Sequence, residues 1–229
     1  MRHSQKNTGL GWLLAALLMG CASDAPPTPD WKLTVSGAAD RFVEAWLLGD
    51  SRIEQVEFER ARRETASTGR ADLVARIELL RCATRVASLV LEPCAGFEAL
   101  RADLGAGREA AYADYLAGQT LEPQRIALLP EAQQGPARAR SGGGESEPID
   151  ALRAIGDPLS RLVAAGVLFR ARAASDATVK LAIDTASERG WRRPLLTWLG
   201  VAVGEAELAG DSQAAARARR RMELVAPAR

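Results

Sequence analysis

From residue 36 onward, stretches rich in Ala, Leu, Arg and Glu alternate with Gly, Pro, Ser and Asp at regular places. The first group of residues has high helix propensity, and the second supplies the caps and turns that end helices. The long alternation of apolar and polar residues that is typical of strands is absent from the sequence. The pattern therefore predicts an all-α fold, in which helical hairpins form a short stacked array or an irregular helical bundle.

Gly, Pro, Ser and Asp also place the ends of the helices. In the N-terminal region, over residues 36–117, we expect helices at about 38–48, 51–66, 70–88, 94–104 and 108–117. In the C-terminal region, over residues 148–229, we expect two antiparallel hairpins made from helices at about 157–173, 175–190, 194–210 and 211–226. Residues 133–147 contain five Gly or Pro, so the intervening segment 118–147 is predicted to be a flexible loop or linker and the domain boundary.

The expected helix over 70–88 has two apolar stripes rather than one. The first contains Leu73, Ile77, Leu80, Thr84 and Ala87, and the second contains Leu79, Cys82, Val86 and Leu89. Glu78, Arg81 and Arg85 occupy the narrow gap between them. A helix that is apolar on two faces is covered on two sides, so we expect this helix to be central, with the segment around Cys94 and Phe97 over its second face.

The first twenty residues differ in character from the rest of the chain. A short basic start is followed by an apolar run over residues 10–19, which only Gly11 interrupts. A run of about ten residues is too short for a membrane-spanning helix, which needs roughly 20, and it fits the apolar section of an export signal. The run ends in the sequence Leu18-Met19-Gly20-Cys21.

This ending resembles the lipobox of bacterial lipoproteins, in which the cysteine is lipidated and becomes the first residue. The resemblance implies a signal peptide over 1–20 and lipid on Cys21, with the membrane as a partner; an ordinary signal peptide with a chance cysteine is the alternative. Three prolines and small polar residues follow, so residues 21–35 are predicted to be a lipidated tether. By resemblance to enterobacterial sorting, the absence of Asp after Cys21 implies the outer membrane, facing the periplasm.

The cysteines and the histidine limit the chemistry of the mature chain. If Cys21 carries lipid, Cys82 and Cys94 remain as a pair in an oxidising compartment; two separately buried thiols are the alternative. The only histidine, His3, leaves with the signal. Catalysis by Ser-His-Asp or Cys-His sets as usually built is then excluded, as are His-based metal sites. We expect no cofactor.

The net charge gives no case for binding nucleic acid. Removing residues 1–20 takes away Arg2 and Lys6, so the 30 Lys and Arg become 28 against 29 Asp and Glu, a net charge of −1. Nucleic-acid affinity depends largely on cations that neutralise phosphates. We therefore expect no nucleic-acid partner.

The last predicted hairpin resembles tetratricopeptide repeats. Residues 210–215, Gly-Asp-Ser-Gln-Ala-Ala, are similar to the turn and early second helix of that repeat, and Pro227 stands where its closing proline belongs. The first helix matches poorly, because the segment 198–200 lies about three residues early. The resemblance covers about 70 of the 229 residues, and it implies stacked helix pairs with a broad surface for partners.

Two groups of residues are candidates for partner binding. Trp191 and Trp198 flank a helix start and could line a groove, although such aromatic residues are more often core. Arg217, Arg220 and Arg221 belong to the densest basic cluster, which could meet an acidic partner or lipopolysaccharide phosphates. The alternative for the arginines is a solvated helix whose cations favour its negative C-terminal end.

The sequence therefore predicts a membrane-anchored lipoprotein that is a non-catalytic scaffold or accessory protein for an envelope protein partner. One alternative is a cell-wall-active enzyme that uses carboxylates alone, which needs two acids converging in a groove. The other is a protein that binds a small envelope ligand in a cavity around Trp191 and Trp198.

Overall fold

The computed structural model describes residues 29–142 and 147–226, and every regular element within these ranges is a helix. The predicted all-α class is thereby confirmed. Cys21, the signal segment and residues 22–28 lie outside the described residues. In chain order the helices are α1 (Asp30–Leu48), α2 (Ser51–Ala66), α3 (Ala71–Ala87), α4 (Ala95–Glu98), α5 (Arg101–Leu104), α6 (Arg108–Leu116), α7 (Pro123–Ile126), α8 (Glu131–Arg140), α9 (Pro148–Arg153), α10 (Pro158–Arg170), α11 (Asp176–Glu188), α12 (Arg192–Leu208) and α13 (Ser212–Val225).

Short polar side chains begin the helices where the sequence predicts. The Asp50 carboxylate accepts hydrogen bonds from two backbone N–H groups of α2, and Asp157 and Asp211 each accept one at the starts of α10 and α13. Ser175 and Thr178 form a reciprocal capping box at the start of α11. Each of these caps satisfies N–H groups that a helix otherwise leaves without a partner.

The first helix begins earlier than predicted. The sequence places residues 21–35 in a tether, whereas α1 already starts at Asp30, immediately after Pro29. The negative charge of Asp30 in the first turn favours the positive end of the helix, and Gly37 is tolerated inside it. The expected helix over 94–104 is also different, because it is divided into α4 and α5 at Ala99 and Leu100.

The predicted flexible linker over 118–147 is wrong for the part that the structure describes. Residues 123–126 and 131–140 are helical, and Leu121, Ile126 and Leu129 are buried in the main core. The buried Gln133 amide accepts a hydrogen bond from the Tyr115 hydroxyl at 2.9 Å and donates one to a backbone carbonyl of α10. Gly135 and Pro136, which suggested a loop, lie within α8, where Pro136 is buried. Pro123 begins α7, at a position where its missing N–H costs nothing. Residues 143–146 lie outside the described ranges.

Helix α3 is central, as its two apolar stripes predict. It packs against α1, α2, α6 and α10, while α4 lies over its second face with Phe97 fully buried. The closest approach to α10 is at Gly166, where an added Cβ would lie 2.3 Å from the backbone oxygen of Val86. Glycine at this position therefore lets the two helix backbones come together.

The main core is continuous from the first hairpin to the last. It contains Trp46 and Leu47 of α1, the buried face of α3, and residues as late as Trp198 and Ala218. A smaller cluster around Phe42, between α1, α2 and α3, adjoins it. The core therefore does not divide at the expected domain boundary. No helix in the described ranges is long and apolar enough to cross a membrane.

Candidate functional site

The predicted basic cluster lies on α13, the last helix of the structure. Asp211 caps this helix by accepting a hydrogen bond from the Ala214 N–H at 2.8 Å. Ala215 and Ala218 are buried and turn toward α12, the helix against which α13 packs. Small side chains on that side allow close packing, and Arg217, Arg220 and Arg221 are left on the outer side of the helix.

The outer side of α13 carries three cations and one leucine on a single face. Arg220 and Arg221 follow Arg217 by three and four residues, and Leu224 follows them by four and three, which places all four in one stripe. All four side chains are exposed, and Leu224 is 87% exposed. The neighbouring Arg219 belongs to another side of the helix, where it forms an ion pair with Glu207 of α12. We call Arg217, Arg220, Arg221 and Leu224 the basic face.

The two tryptophans proposed as partner anchors lie in the core instead. Trp191 is 5% exposed and Trp198 is 0% exposed. The Trp198 indole donates a hydrogen bond to the backbone oxygen of Ala87 at 3.1 Å, and its ring meets Phe169 edge-on with centroids 5.7 Å apart. The interpretation of these residues as core is therefore correct, and neither side chain is available to a partner on this surface. A ligand site around them finds no support in this packing.

The disulfide between Cys82 and Cys94 is present, with Cα atoms 5.8 Å apart. It joins the middle of α3 to the residue that precedes α4. The returning segment is thereby held over the second face of α3, as the sequence predicts. Closing this short loop restricts the unfolded chain, which contributes roughly 3 kcal/mol on the loop-entropy model.

The charged gap of α3 lines a small cavity beside this disulfide. The cavity has a volume of about 180 Å³ and is bounded by Glu78, Arg81 and Arg85 of α3 and by residues 92–96. Gly96 lies so close to Glu78 that an added Cβ would be 2.0 Å from its carboxylate oxygen. Glycine is therefore the residue that lets the returning segment pass over this acid.

Ion pairs neutralise the charged groups around the cavity. Arg81 donates to Glu54 of α2 with an N–O distance of 2.6 Å, and the Glu54 side chain is only 3% exposed. Arg62 donates to Glu78 at the same distance. Each of these buried carboxylates has a guanidinium partner on the neighbouring helix, so the two ion pairs join α2 to α3.

Two arginines flank the Trp46 ring and connect α1 with α3 and α12. The guanidinium carbons of Arg85 and Arg193 lie 5.0 Å and 4.0 Å from the ring centroid. Arg193, at the start of α12, also donates to the Trp46 backbone oxygen at 2.7 Å and to Ser51 at 2.8 Å. Burial lowers the pKa of Arg193. With the hydrogen bond from Arg192 to the Leu48 backbone oxygen at 3.1 Å, the contact to Trp46 satisfies carbonyl groups at the C-terminal end of α1, which carry partial negative charge.

Carboxylates that are two positions apart along the helices, such as those of Glu205 and Glu207, do not form one group. Glu57 pairs with Arg41 at 3.0 Å, and Glu207 belongs to the ion pair with Arg219. The pKa of Glu205 is raised, mainly by burial and then by the negative charge of Asp176. Among the residues that the structure describes, no group of three or more His, Cys, Asp or Glu could hold a metal ion.

Comparison with protein families, curated proteins and solved structures finds no match. The candidate site is therefore defined by its geometry alone. The structure brings the three predicted arginines onto one face and adds Leu224, which the sequence analysis did not single out. Its spacing of seven residues from Arg217 is the signal that would have placed it there.

Proposed function

We propose that this chain is a lipid-anchored protein of the cell envelope, held at the outer membrane through Cys21 and facing the periplasm. In this proposal it is a non-catalytic scaffold or accessory subunit that binds an acidic protein partner through the basic face of α13. The observation that carries the proposal is the exposed stripe of Arg217, Arg220, Arg221 and Leu224 on the last helix.

The composition of the basic face suits recognition of a protein. No described residue forms an ion pair with Arg217, Arg220 or Arg221, so their donors are available to carboxylates of a partner. Arginine is enriched at protein interfaces, and an exposed leucine beside it adds apolar area. The resemblance to tetratricopeptide repeats, which bind partners on stacked helix pairs, agrees with this role.

The Cys82–Cys94 disulfide supports the location. Disulfides form and persist in oxidising compartments such as the bacterial periplasm, and they are rare in the reducing cytosol. An exported chain with this disulfide and with lipid on Cys21 would use each of its three cysteines. The location and the lipid site form one testable proposal.

Replacing Cys21 with serine should abolish membrane anchoring. Several acyl chains hold a protein firmly, because each buried CH₂ contributes about 0.8 kcal/mol, so loss of the lipid site should give uncleaved or soluble protein. The measurement is membrane fractionation together with the mass of the N-terminal peptide. The double variant Cys82→Ser/Cys94→Ser is the control, because it should remain anchored. A Cys21→Ser chain that still matures and fractionates with membranes would contradict the proposal.

Reversing the charge of the basic face should remove the partner. In the triple variant Arg217→Glu/Arg220→Glu/Arg221→Glu, repulsion replaces attraction, and recovery of the partner after crosslinking should fall by about tenfold or more. The readout is the amount of each crosslinked envelope protein, compared with the unaltered chain.

A matched control separates this face from general charge effects. Three arginines on the outer side of α2 are also exposed, and each can be replaced by glutamate in the same way: Arg52, Arg60 and Arg63. Their triple reversal should leave recovery of the partner unchanged. Full recovery of the partner with both triple variants would refute docking on the basic face. Loss of the partner with both would show a nonspecific charge effect, which would also refute it.

A further inference from the structure

The outer side of α1 carries a short acidic stripe. Asp40 and Glu44 are both exposed, and their spacing of four residues places them on one face of the helix. Leu48, four residues further on, continues this face and is 36% exposed. We call Asp40, Glu44 and Leu48 the acidic face.

The two carboxylates of the acidic face have no cation of their own. No described residue forms an ion pair with Asp40 or Glu44, and the intervening Arg41 pairs instead with Glu57 of α2 at 3.0 Å. The arginines of the basic face on α13 are also without an ion pair to a described residue. The two sets of charges therefore do not neutralise each other within one molecule, and both are open to another molecule.

A second pair of acids on the surface shows the contrast. Asp184 and Glu188 of α11 are also four residues apart, but Asp184 is already paired with Lys180 at 2.8 Å. The residue four positions after Glu188 is Arg192 rather than an apolar residue. Within the described ranges, two acids at this spacing that lack ion pairs and precede an exposed leucine occur on α1 alone.

The acidic face and the basic face match in length and in the order of their groups. Counted back from Leu48, Glu44 and Asp40 come after four and eight residues, or about 6 and 12 Å along the helix axis. Counted back from Leu224, the arginines of the basic face come after three, four and seven residues, or about 4.5, 6 and 10.5 Å. Two such helices lying side by side in the same direction would place leucine against leucine and arginines against carboxylates.

We propose that the partner of the basic face is a second copy of this chain, which presents its acidic face. This inference rests on the proposed function, because it takes the basic face as the docking surface and names its partner. Faces of opposite charge attract each other and fix the register in which two surfaces dock. Because the two faces of a chain differ, each copy can contact one neighbour through α1 and another through α13.

Sedimentation velocity of the purified protein over a range of concentrations measures this association. The full chain is kept in nonionic detergent, in the form in which the cell produces it. We expect association at about 50 mM salt that is at least about tenfold weaker at about 500 mM, where salt screens exposed charges. Reversing the charge of either face, with Asp40→Arg/Glu44→Arg or with Arg217→Glu/Arg220→Glu/Arg221→Glu, should weaken it by about tenfold or more.

A charge swap tests whether these two faces meet each other. Combining both reversals in one chain makes α1 basic and α13 acidic, so association should return. The matched control combines the α13 reversal with Asp184→Arg/Glu188→Arg, which changes the net charge by the same amount on α11, and it should remain dissociated. The far-ultraviolet circular dichroism of each variant checks that the helices are retained.

The remaining outcomes separate this inference from the proposed function. A chain that sedimentes as a monomer at every concentration overturns self-docking, and so does a swapped chain that associates no better than its control. If the α13 reversal still removes a crosslinked envelope protein in either case, the basic face binds a different acidic partner and the proposed function stands. Association that returns only in the swapped chain supports docking between copies.

Discussion

Replacing Arg81 with alanine should destabilise the protein by about 3–5 kcal/mol, because it leaves the carboxylate of Glu54 buried without its cation. The Arg81 side chain is 19% exposed, the Glu54 side chain is 3% exposed, and the N–O distance between them is 2.6 Å. Arg81 also covers the face of Phe58, 4.0 Å from the ring centroid. The measurement is the free energy of unfolding from chemical denaturation followed by circular dichroism.

Two other variants test this explanation. The double variant Arg81→Met/Glu54→Leu removes both charges and keeps apolar volume, so it should be more stable than Arg81→Ala alone. Arg70→Ala removes an exposed ion pair with Asp72 and should cost far less than Arg81→Ala, because solvent screens an exposed pair. If Arg70→Ala and Arg81→Ala cost the same, the burial of Glu54 does not determine the effect.

Replacing Trp198 with alanine should cost about 3–5 kcal/mol, the range for removing a large aromatic side chain from a core. The ring is fully buried against Phe169, and its N–H is bonded to the backbone oxygen of Ala87. Trp198→Phe retains most of the apolar volume but leaves that oxygen without its donor, so it should cost about 1–3 kcal/mol.

The control for Trp198 is Leu224→Ala. Leu224 is 87% exposed, and surface changes of this kind usually stay within about 0.5 kcal/mol of zero. Thermal and chemical unfolding of the three variants should therefore give the order Leu224→Ala, Trp198→Phe, Trp198→Ala from smallest to largest loss. A Trp198→Ala protein as stable as Leu224→Ala would show that the ring contributes little to the core.

Periodicity and caps predicted the parts of the fold that depend on local sequence. The two stripes of α3 predicted its central place. The assignment of Cys21 to lipid in an oxidising compartment left Cys82 and Cys94 as the predicted pair, and their disulfide is present. Glycine and proline were less informative, because Gly135 and Pro136 lie inside α8 although both residue types are typical of loops. Residues 118–142 were misassigned for that reason, although Gln133 and its partners make this segment part of the core.

The candidate site was predictable only in part, for a related reason. Arg217, Arg220 and Arg221 share a face because of helix geometry, which a sequence contains. The burial of Trp191 and Trp198 depends on helices far away in the chain, and helical spacing alone does not decide between core and groove. The contact of Arg193 with Trp46 gave no local signal, since these residues are 147 positions apart.

That long-range contact constrains the order in which the protein folds. The Trp46 carbonyl of the first hairpin accepts its hydrogen bond from Arg193 of α12, and the Ala87 carbonyl of α3 accepts one from Trp198 across 111 positions. Contacts of such high sequence separation form late, because a large loop must close before they contribute. The main core therefore closes only after nearly the whole chain has been synthesised. Under the proposed export this topology is an advantage, since the early segments cannot complete a stable core before the last helices have crossed the membrane.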